Sequence, residues 1–170
     1  MSLNPERDLG MVLLGLDSID ALTLDPGRGR IRKPKVSEWS VAEHMHHAAL
    51  VSGSIATAVR GLLRGRGEDG PPAGELARSI LEEGRIPRGV GKAPAVFRPD
   101  EHPESRTIQA AVRKSRSRWE GLLMQTDEIE ACELRLPHHQ LGLMTAAEWV
   151  RFAATHTDHH LRIVDNIEDA

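Results

Sequence analysis

The chain has 170 residues, a modest apolar fraction of 39% and a net charge of -3. Its length predicts one domain, residues 1–170, with a single hydrophobic core. The slightly acidic charge excludes nucleic acid as a partner bound by bulk electrostatics. No apolar run approaches the roughly 18 residues of a membrane span, so we expect no membrane association. The single cysteine, Cys132, cannot form an intramolecular disulfide, which favours a reducing, cytoplasmic location.

The first half of the chain contains two segments with the apolar spacing of helices. The first predicted helix spans residues 5–22, and a loop at 25–38 follows it. The second begins at Ser40 and ends near residue 64. Glu43, three residues after Ser40, completes a capping box, in which each residue satisfies a free N–H group of the other. The apolar side of the first helix comprises Leu9, Val12, Leu13, Leu16 and Ile19.

The stretch 65–103 is dense in glycine and proline and has too few apolar residues for a core of its own. It is interpreted as a long connection over the outside of the fold, with a short helix near 75–83. The third long helix is predicted at 104–126. One face of that helix carries Ile108, Val112, Trp119, Leu122 and Leu123.

The last part of the chain is predicted to be irregular over 127–144, with a short extended piece at 131–136. A fourth helix begins at Thr145, because Glu148 three residues later completes a second capping box, and it ends near residue 166. Four apolar stripes of helical period and two capping boxes together predict an all-α, four-helix bundle.

His156 and His160 lie four residues apart on the fourth helix, so both imidazoles project from one face, one turn apart. That face is otherwise apolar, and two buried imidazoles need partners for all their ring nitrogens. A divalent metal ion meets the need, because a pair at this spacing can chelate one ion. His47, at the edge of the buried sector of the second helix, is the third candidate ligand. His44 and His159 are reserve candidates.

The plain alternative for each ring is a core histidine satisfied by a carbonyl or a water. His46 points about a quarter turn away from His47, and we expect it to be a solvated surface residue. A zinc peptidase would need a glutamate directly after the first histidine of the pair. Thr157 occupies that position and Asp158 falls on the opposite face, so the sequence disfavours a peptidase.

Two segments resemble a known family. Trp39-Ser-Val-Ala-Glu-His-Met-His-His47 is similar to the first motif of the DinB/YfiT-like superfamily, in which Trp-Ser-x-x-Glu opens a helix and a histidine follows eight residues after the tryptophan. The segment 138–161 is similar to its Gly-x-Leu-Thr-x-x-Glu-Trp-x-x-Phe…His-x-x-x-His-Leu signature. The resemblance implies an up-down-down-up four-helix bundle that binds a divalent metal ion. By motif position the ligands are His47, His156 and His160.

Characterised members of this superfamily include enzymes that activate low-molecular-weight thiols such as bacillithiol or mycothiol. The resemblance therefore implies a metal-dependent thiol S-transferase that acts on a small electrophile, and a possible homodimer. Nitrogen-only ligation suits zinc, nickel, iron or copper. A metal-dependent hydrolase and a non-catalytic metal- or small-ligand-binding protein remain open alternatives. Glu43, one turn before His47, is expected to be engaged by its cap, although it can reach inward.

Two positions depart from the family pattern, and one segment needs its own interpretation. Ile163 stands where many members have a glutamine, and the pair His138-His139 stands where His-Pro is frequent. The run 27–35 contains five cations in nine residues. It is either a solvated loop, a nucleic-acid or phosphate contact, or a basic segment at the mouth of the site that attracts an acidic thiol.

Overall fold

A computed structural model describes residues 3–89, 91 and 93–170 of the chain. Most of these residues are helical, as predicted, and a small antiparallel sheet accompanies the helices. In chain order the elements are α1 (Pro5–Leu22), α2 (Pro26–Gly29), α3 (Val41–Leu62), α4 (Glu75–Glu83), a 3-10 turn (Ala95–Phe97), α5 (Ser105–Glu120), α6 (Thr126–Ala131), β1 (Arg135–His138), β2 (Gly142–Thr145) and α7 (Ala146–Glu168).

The four longest helices enclose the core. Helix α3 packs against α5 and α7, and α1 packs against the same two helices. Of the apolar side predicted for α1, Leu13 is half-buried and the other four residues are fully buried. Each such leucine or isoleucine stabilises the fold by about 1.5–3 kcal/mol through burial alone. The pairing of α3 with α7 matters most for function, because these two helices carry the clustered histidines.

Both predicted capping boxes are present at the starts of α3 and α7. The Ser40 backbone N–H donates to Glu43 Oε2 at 2.6 Å, and the Glu43 N–H donates to Ser40 Oγ at 3.3 Å. Thr145 and Glu148 repeat the arrangement at 2.7 and 3.3 Å. These caps fix where each helix begins and therefore which residues face the core.

The prediction of one continuous third helix over 104–126 is wrong. Helix α5 ends at Glu120, a turn follows, and the short helix α6 begins at Thr126. The break separates two residues predicted for one face: Leu122 is fully buried, whereas Leu123 is 42% exposed. The helical period no longer applies once the chain leaves α5, so the wheel placed Leu123 incorrectly.

The segment 127–144, predicted to be irregular, contains α6 and a β-hairpin. Strands β1 and β2 pair antiparallel, with Leu136 opposite Met144 and His138 opposite Gly142. Gly142 has a φ of +84°, in the left-handed region that favours glycine, and this lets the chain reverse between the strands. The extended piece predicted at 131–136 therefore lies a few residues later in the chain.

The connection 65–103 lies against α3 and α7, and the short helix within it has the predicted bounds. Helix α4 packs on α7, and the 3-10 turn packs on α3. The buried Arg151 of α7 links the layers: its Nε donates to the Leu81 carbonyl at 3.1 Å, and its guanidinium contacts Asp8 of α1 at 3.3 Å. Among the described helices, none combines the length and apolar character needed to cross a membrane.

Candidate metal centre

The three predicted ligands converge, although His47 lies more than a hundred residues before His156 and His160 in the chain. Helix α3 supplies His47 and α7 supplies His156 and His160, and one ring nitrogen from each lies within 4.8 Å of the others. His47 and His160 are 4% and 8% exposed, and His156 is partly exposed. Neighbouring ring centres are 4.6 to 5.1 Å apart. The structure therefore brings these residues together as the spacing and the wheel predicted.

A backbone carbonyl sets the orientation of His47. Its Nδ1 lies 2.6 Å from the carbonyl oxygen of Phe97, at the end of the 3-10 turn. Because a carbonyl only accepts, Nδ1 must carry the proton, and in a neutral ring Nε2 then has the lone pair. An outer hydrogen bond of this kind is how metal-binding histidines are usually oriented.

A second chain of hydrogen bonds reaches His160. Its Nδ1 lies 2.9 Å from Nδ1 of His44, whose Nε2 lies 2.8 Å from Ser37 Oγ. If His160 offers Nε2 to a metal ion, its Nδ1–H donates to His44, which must then carry its own proton on Nε2 and donate to Ser37. The Ser37 oxygen also accepts from the Trp39 N–H at 3.1 Å. The ring protons of His160 and His44 both have acceptors in this arrangement.

His156 is the ring that fits a cation most directly. Its Nδ1 is buried and has no hydrogen-bond partner among the described residues. A buried, unpaired ring nitrogen costs free energy. The Nδ1 atoms of His47 and His160 already have hydrogen-bond partners. A metal ion bound by these two rings would give the third ring, that of His156, a partner as well. Three imidazole nitrogens form a donor set suited to a divalent transition metal.

The electrostatic environment keeps the rings neutral. Burial lowers the pKa of His47, and the Phe97 carbonyl offsets part of that effect. Burial lowers the pKa of His156 and of His160 well below the usual range, and the neighbouring histidines add to the shift. Burial also lowers the pKa of His44 to about 4. A neutral imidazole is the form that binds metal, so these shifts favour ligation near neutral pH.

The two reserve candidates do not join the cluster but contact it. His44 is the hydrogen-bond partner of His160, and the His159 ring packs edge-on against the same residue at 5.2 Å. Trp39 covers the group, with its ring centre 5.0 Å from His47 and 5.4 Å from His44. The tryptophan shields this side of the cluster from water, which strengthens the electrostatic interactions within it.

The prediction that His46 is solvated is wrong, because its side chain is 4% exposed. The connection folds over this face of α3, and the Asp100 N–H donates to His46 Nδ1 at 3.2 Å. The helical wheel considered only the neighbouring long helices and did not anticipate this cover. His46 nevertheless lies outside the three-histidine cluster, as predicted.

A pocket of about 460 Å³ opens beside the cluster, and His47, His156 and His160 all lie on its wall. Most of the wall is apolar and comes from α3, α7 and the connection 65–103. Its larger apolar side chains include Val51, Ile55, Ile80, Ile86, Phe97 and Phe152. The connection is therefore part of the site and not merely a link between helices.

The basic run 27–35 is partly engaged elsewhere. Arg28 pairs with Glu168 near the end of α7, and Arg32 donates to Glu43 at 2.7 Å. None of the described residues that line the pocket belongs to this run. Glu43 is held by its cap and by Arg32, so it is directed away from the role of a base at the cluster. The predicted placement of this run at the site mouth therefore has no support.

The two departures from the family pattern have different structural settings. Ile163 is buried in the core, 8% exposed, and packs as an apolar residue. His138 lines the pocket, and its ring lies 5.0 Å from that of Phe152, which in turn contacts His156 at 5.7 Å. Sequence reasoning named His138 only as a departure and assigned no role to Ser37 or the Phe97 carbonyl. Ser37 stands two residues before the recognised Trp39, but a backbone acceptor leaves no signal in the sequence.

The protein is predominantly helical, and three clustered, neutral histidines lie beside an apolar pocket. The profile of the DinB superfamily matches residues 22–164, which include all three histidines. The chain therefore belongs to the DinB superfamily. Searches of curated proteins and of solved structures return no match.

Proposed function

We propose that the protein binds a divalent metal ion, such as zinc, nickel or iron, through His47, His156 and His160. We propose further that it transfers a low-molecular-weight thiol to a small electrophile. The observation that carries the proposal is the convergence of three neutral imidazoles on the wall of an apolar pocket. Three protein ligands leave at least one position on such an ion for a substrate.

The metal ion, when bound, would lower the pKa of a thiol and favour the thiolate, which is the nucleophilic form. The chain's own residues have three tasks. The hydrogen bonds that His47 donates to the Phe97 carbonyl and His160 donates to His44 hold the ligand rings in place, and Trp39 excludes water from one side. The apolar wall binds the body of the electrophile. In the reaction the thiol would lose its proton to solvent and a sulfur–carbon bond would form. A carbon–halogen bond would break to release halide, or an epoxide carbon–oxygen bond would break and its oxygen would take up a proton from solvent.

The alternatives are metal-dependent hydrolysis and non-catalytic binding of metal or a small ligand. Metal-dependent hydrolases of the peptidase type use a glutamate as general base, and here Glu43 is engaged by Ser40 and Arg32. The polar side chains among the described lining residues are neutral ones such as Ser54, Gln140 and histidines. This favours attack by a preformed thiolate, which needs no separate base, over hydrolysis that depends on a carboxylate base.

The first test is elemental analysis of protein purified without a metal-affinity tag. We expect one metal ion per chain, lost in His156→Ala and His160→Ala and bound at least ~10-fold more weakly in His47→Ala. His46→Ala is the matched control, because it removes an equally buried imidazole from the same helix. Metal retained by His156→Ala and His160→Ala, or lost from the control, would refute the ligand assignment.

The second test separates the functions. Metal-loaded protein is assayed with bacterial thiols and electrophiles such as monochlorobimane, a haloalkane and an epoxide, beside a panel of esters and amides. Thiol transfer that chelator abolishes and metal restores would support the proposal. Hydrolysis without thiol would support the hydrolase, and inactivity on both panels with stoichiometric metal would support a binding role.

We also propose that residues 1–170 form a single domain and that the four long helices run up-down-down-up. Helices α3 and α5 are in contact, and the long connection between them is typical of neighbouring helices that run parallel, which supports this arrangement. A reducing, cytoplasmic location is proposed from the single cysteine, and a homodimer from the family resemblance. A crystal structure tests the topology, light scattering tests the dimer, and limited proteolysis that released a stable fragment would contradict the single domain.

A further inference from the structure

His138 stands at the end of β1, on the pocket wall and outside the three-histidine cluster. Its ring packs between the exposed His139, at 4.4 Å, and Phe152, at 5.0 Å. Phe152 also contacts His156, so one aromatic side chain separates His138 from a proposed metal ligand. The proposed chemistry does not yet use this residue.

The hairpin fixes the protonation of His138. The backbone N–H groups of Gln140 and Leu141 both donate to its Nδ1, each at 3.2 Å. A nitrogen that accepts two hydrogen bonds cannot carry a proton, so a neutral ring must be protonated on Nε2. Protonation of both nitrogens would set a third donor against the two backbone N–H groups. Burial of the ring also opposes the charged form and lowers the pKa of His138 to about 4.

The Nε2–H group of His138 has no hydrogen-bond partner among the described residues. The neighbouring wall is apolar, and the described lining residues contribute no carboxylate, lysine or arginine side chain. A pocket of this kind favours a neutral, largely apolar ligand, and a donor that the hairpin holds in one tautomer selects for an acceptor on that ligand. A ligand that covers this donor without supplying an acceptor leaves it unpaired and out of water, which costs free energy and penalises ligands that lack the acceptor.

We propose that His138 is a specificity-determining residue whose Nε2–H donates a hydrogen bond to a carbonyl or ether oxygen of a neutral, mostly apolar ligand in this pocket. The inference rests on the proposed function in one respect: it takes the pocket beside the three histidines to be the substrate pocket. The ligand would then be the electrophile, held by its oxygen at His138 and by its apolar body against Phe152 and the rest of the wall.

The test compares two probes of the same shape, acetophenone and α-methylstyrene, which differ in having a carbonyl or a methylene group. Binding is followed by chemical-shift perturbation in metal-free and in zinc-loaded protein. The key variant is His138→Asn, because an asparagine oxygen can still accept the two backbone N–H groups of the hairpin while nothing reaches the position of Nε2. His102→Asn makes the same change at an exposed histidine that does not line the pocket.

We expect the wild type to bind the ketone more tightly than the alkene, and His138→Asn to reduce this ratio by roughly 3- to 10-fold, the range of one neutral hydrogen bond. His102→Asn should keep the ratio. Side-chain ¹⁵N shifts should show His138 protonated at Nε2 alone between pH 8 and 6. An unchanged ratio in His138→Asn, or a proton on Nδ1, would overturn the proposal. Because the metal-free arm needs no ion, failure of metal binding leaves this result interpretable.

Discussion

His44 offers the sharpest test of how the cluster is held. Among the described residues, His44 accepts the one side-chain hydrogen bond of His160, at 2.9 Å between the two Nδ1 atoms, and His44 is itself hydrogen-bonded to Ser37. In His44→Ala the Nδ1–H of His160 would lose its acceptor, and the ring would be free to rotate away from the metal. Loss of such an outer partner typically weakens metal binding by 10- to 100-fold, or about 1.4–2.8 kcal/mol.

The assay is a competition titration of zinc against a chromophoric chelator, which gives both affinity and stoichiometry. We expect His44→Ala to bind one ion at the reduced affinity and His46→Ala to bind like the wild type. The two residues are matched in burial, at 3% and 4% exposed, and lie two positions apart on α3. Equal affinities for the two variants would refute the role of the His44–His160 bond. Loss of stoichiometric zinc in His44→Ala would make His44 a ligand instead of an orienting partner.

Three further predictions concern stability and are checked by urea denaturation of metal-free protein. The pKa of His44 is about 4 in the folded protein, below the unfolded value of about 6.5. As the pH falls from 6.5 to 4, this ring therefore takes up a proton in the unfolded chain only. The free energy of unfolding should drop over this range, by about 3 kcal/mol from this ring. A flat profile over that range would contradict the burial argument. Arg151→Met should cost about 3 kcal/mol, because the fully buried carboxylate of Asp8 loses a partner, and Asp8→Asn in the same chain should recover part of the loss. Gly15→Ala should destabilise by about 1–3 kcal/mol, because a threonine methyl group of α7 lies 2.7 Å from the added Cβ, whereas Gly10→Ala meets nothing within 4 Å and should stabilise α1 by up to about 1 kcal/mol. Equal changes in the free energy of unfolding at the two glycines would contradict the close contact between α1 and α7 at Gly15.

Local signals account for the parts of the fold that the sequence predicted well. Helix α1 has the predicted bounds because a proline at its start and a regular apolar stripe mark both ends. The capping boxes at Ser40 and Thr145 likewise mark the starts of α3 and α7, because each consists of residues three positions apart in the sequence. The three-histidine cluster could be predicted because the spacing of His156 and His160 on α7 and the position of His47 on α3 depend only on helical geometry.

The failures arise where one part of the chain covers another. His46 is buried by a segment more than fifty residues away in the sequence, and no periodicity within α3 records that contact. Leu123 was misplaced because nothing in the apolar pattern marks the end of α5 at Glu120. The sequence also did not predict the pocket wall formed by the connection 65–103, because that wall too depends on contact with distant helices. Its apolar residues are too few to predict a core, but Ile80, Ile86 and Phe97 are enough to close one side of a cavity.

The acceptor for His47 belongs to the main chain, and this affects how the site responds to genetic variation. Substituting Phe97 changes a side chain but leaves its carbonyl oxygen in place, so a scan of single substitutions would score this position by packing alone. A one-residue deletion in 98–103 or an insertion before the 3-10 turn would instead shift the oxygen, although loops commonly tolerate such length changes. For this loop, chain length is a stricter requirement than residue identity, and we expect metal affinity to follow the number of residues in it.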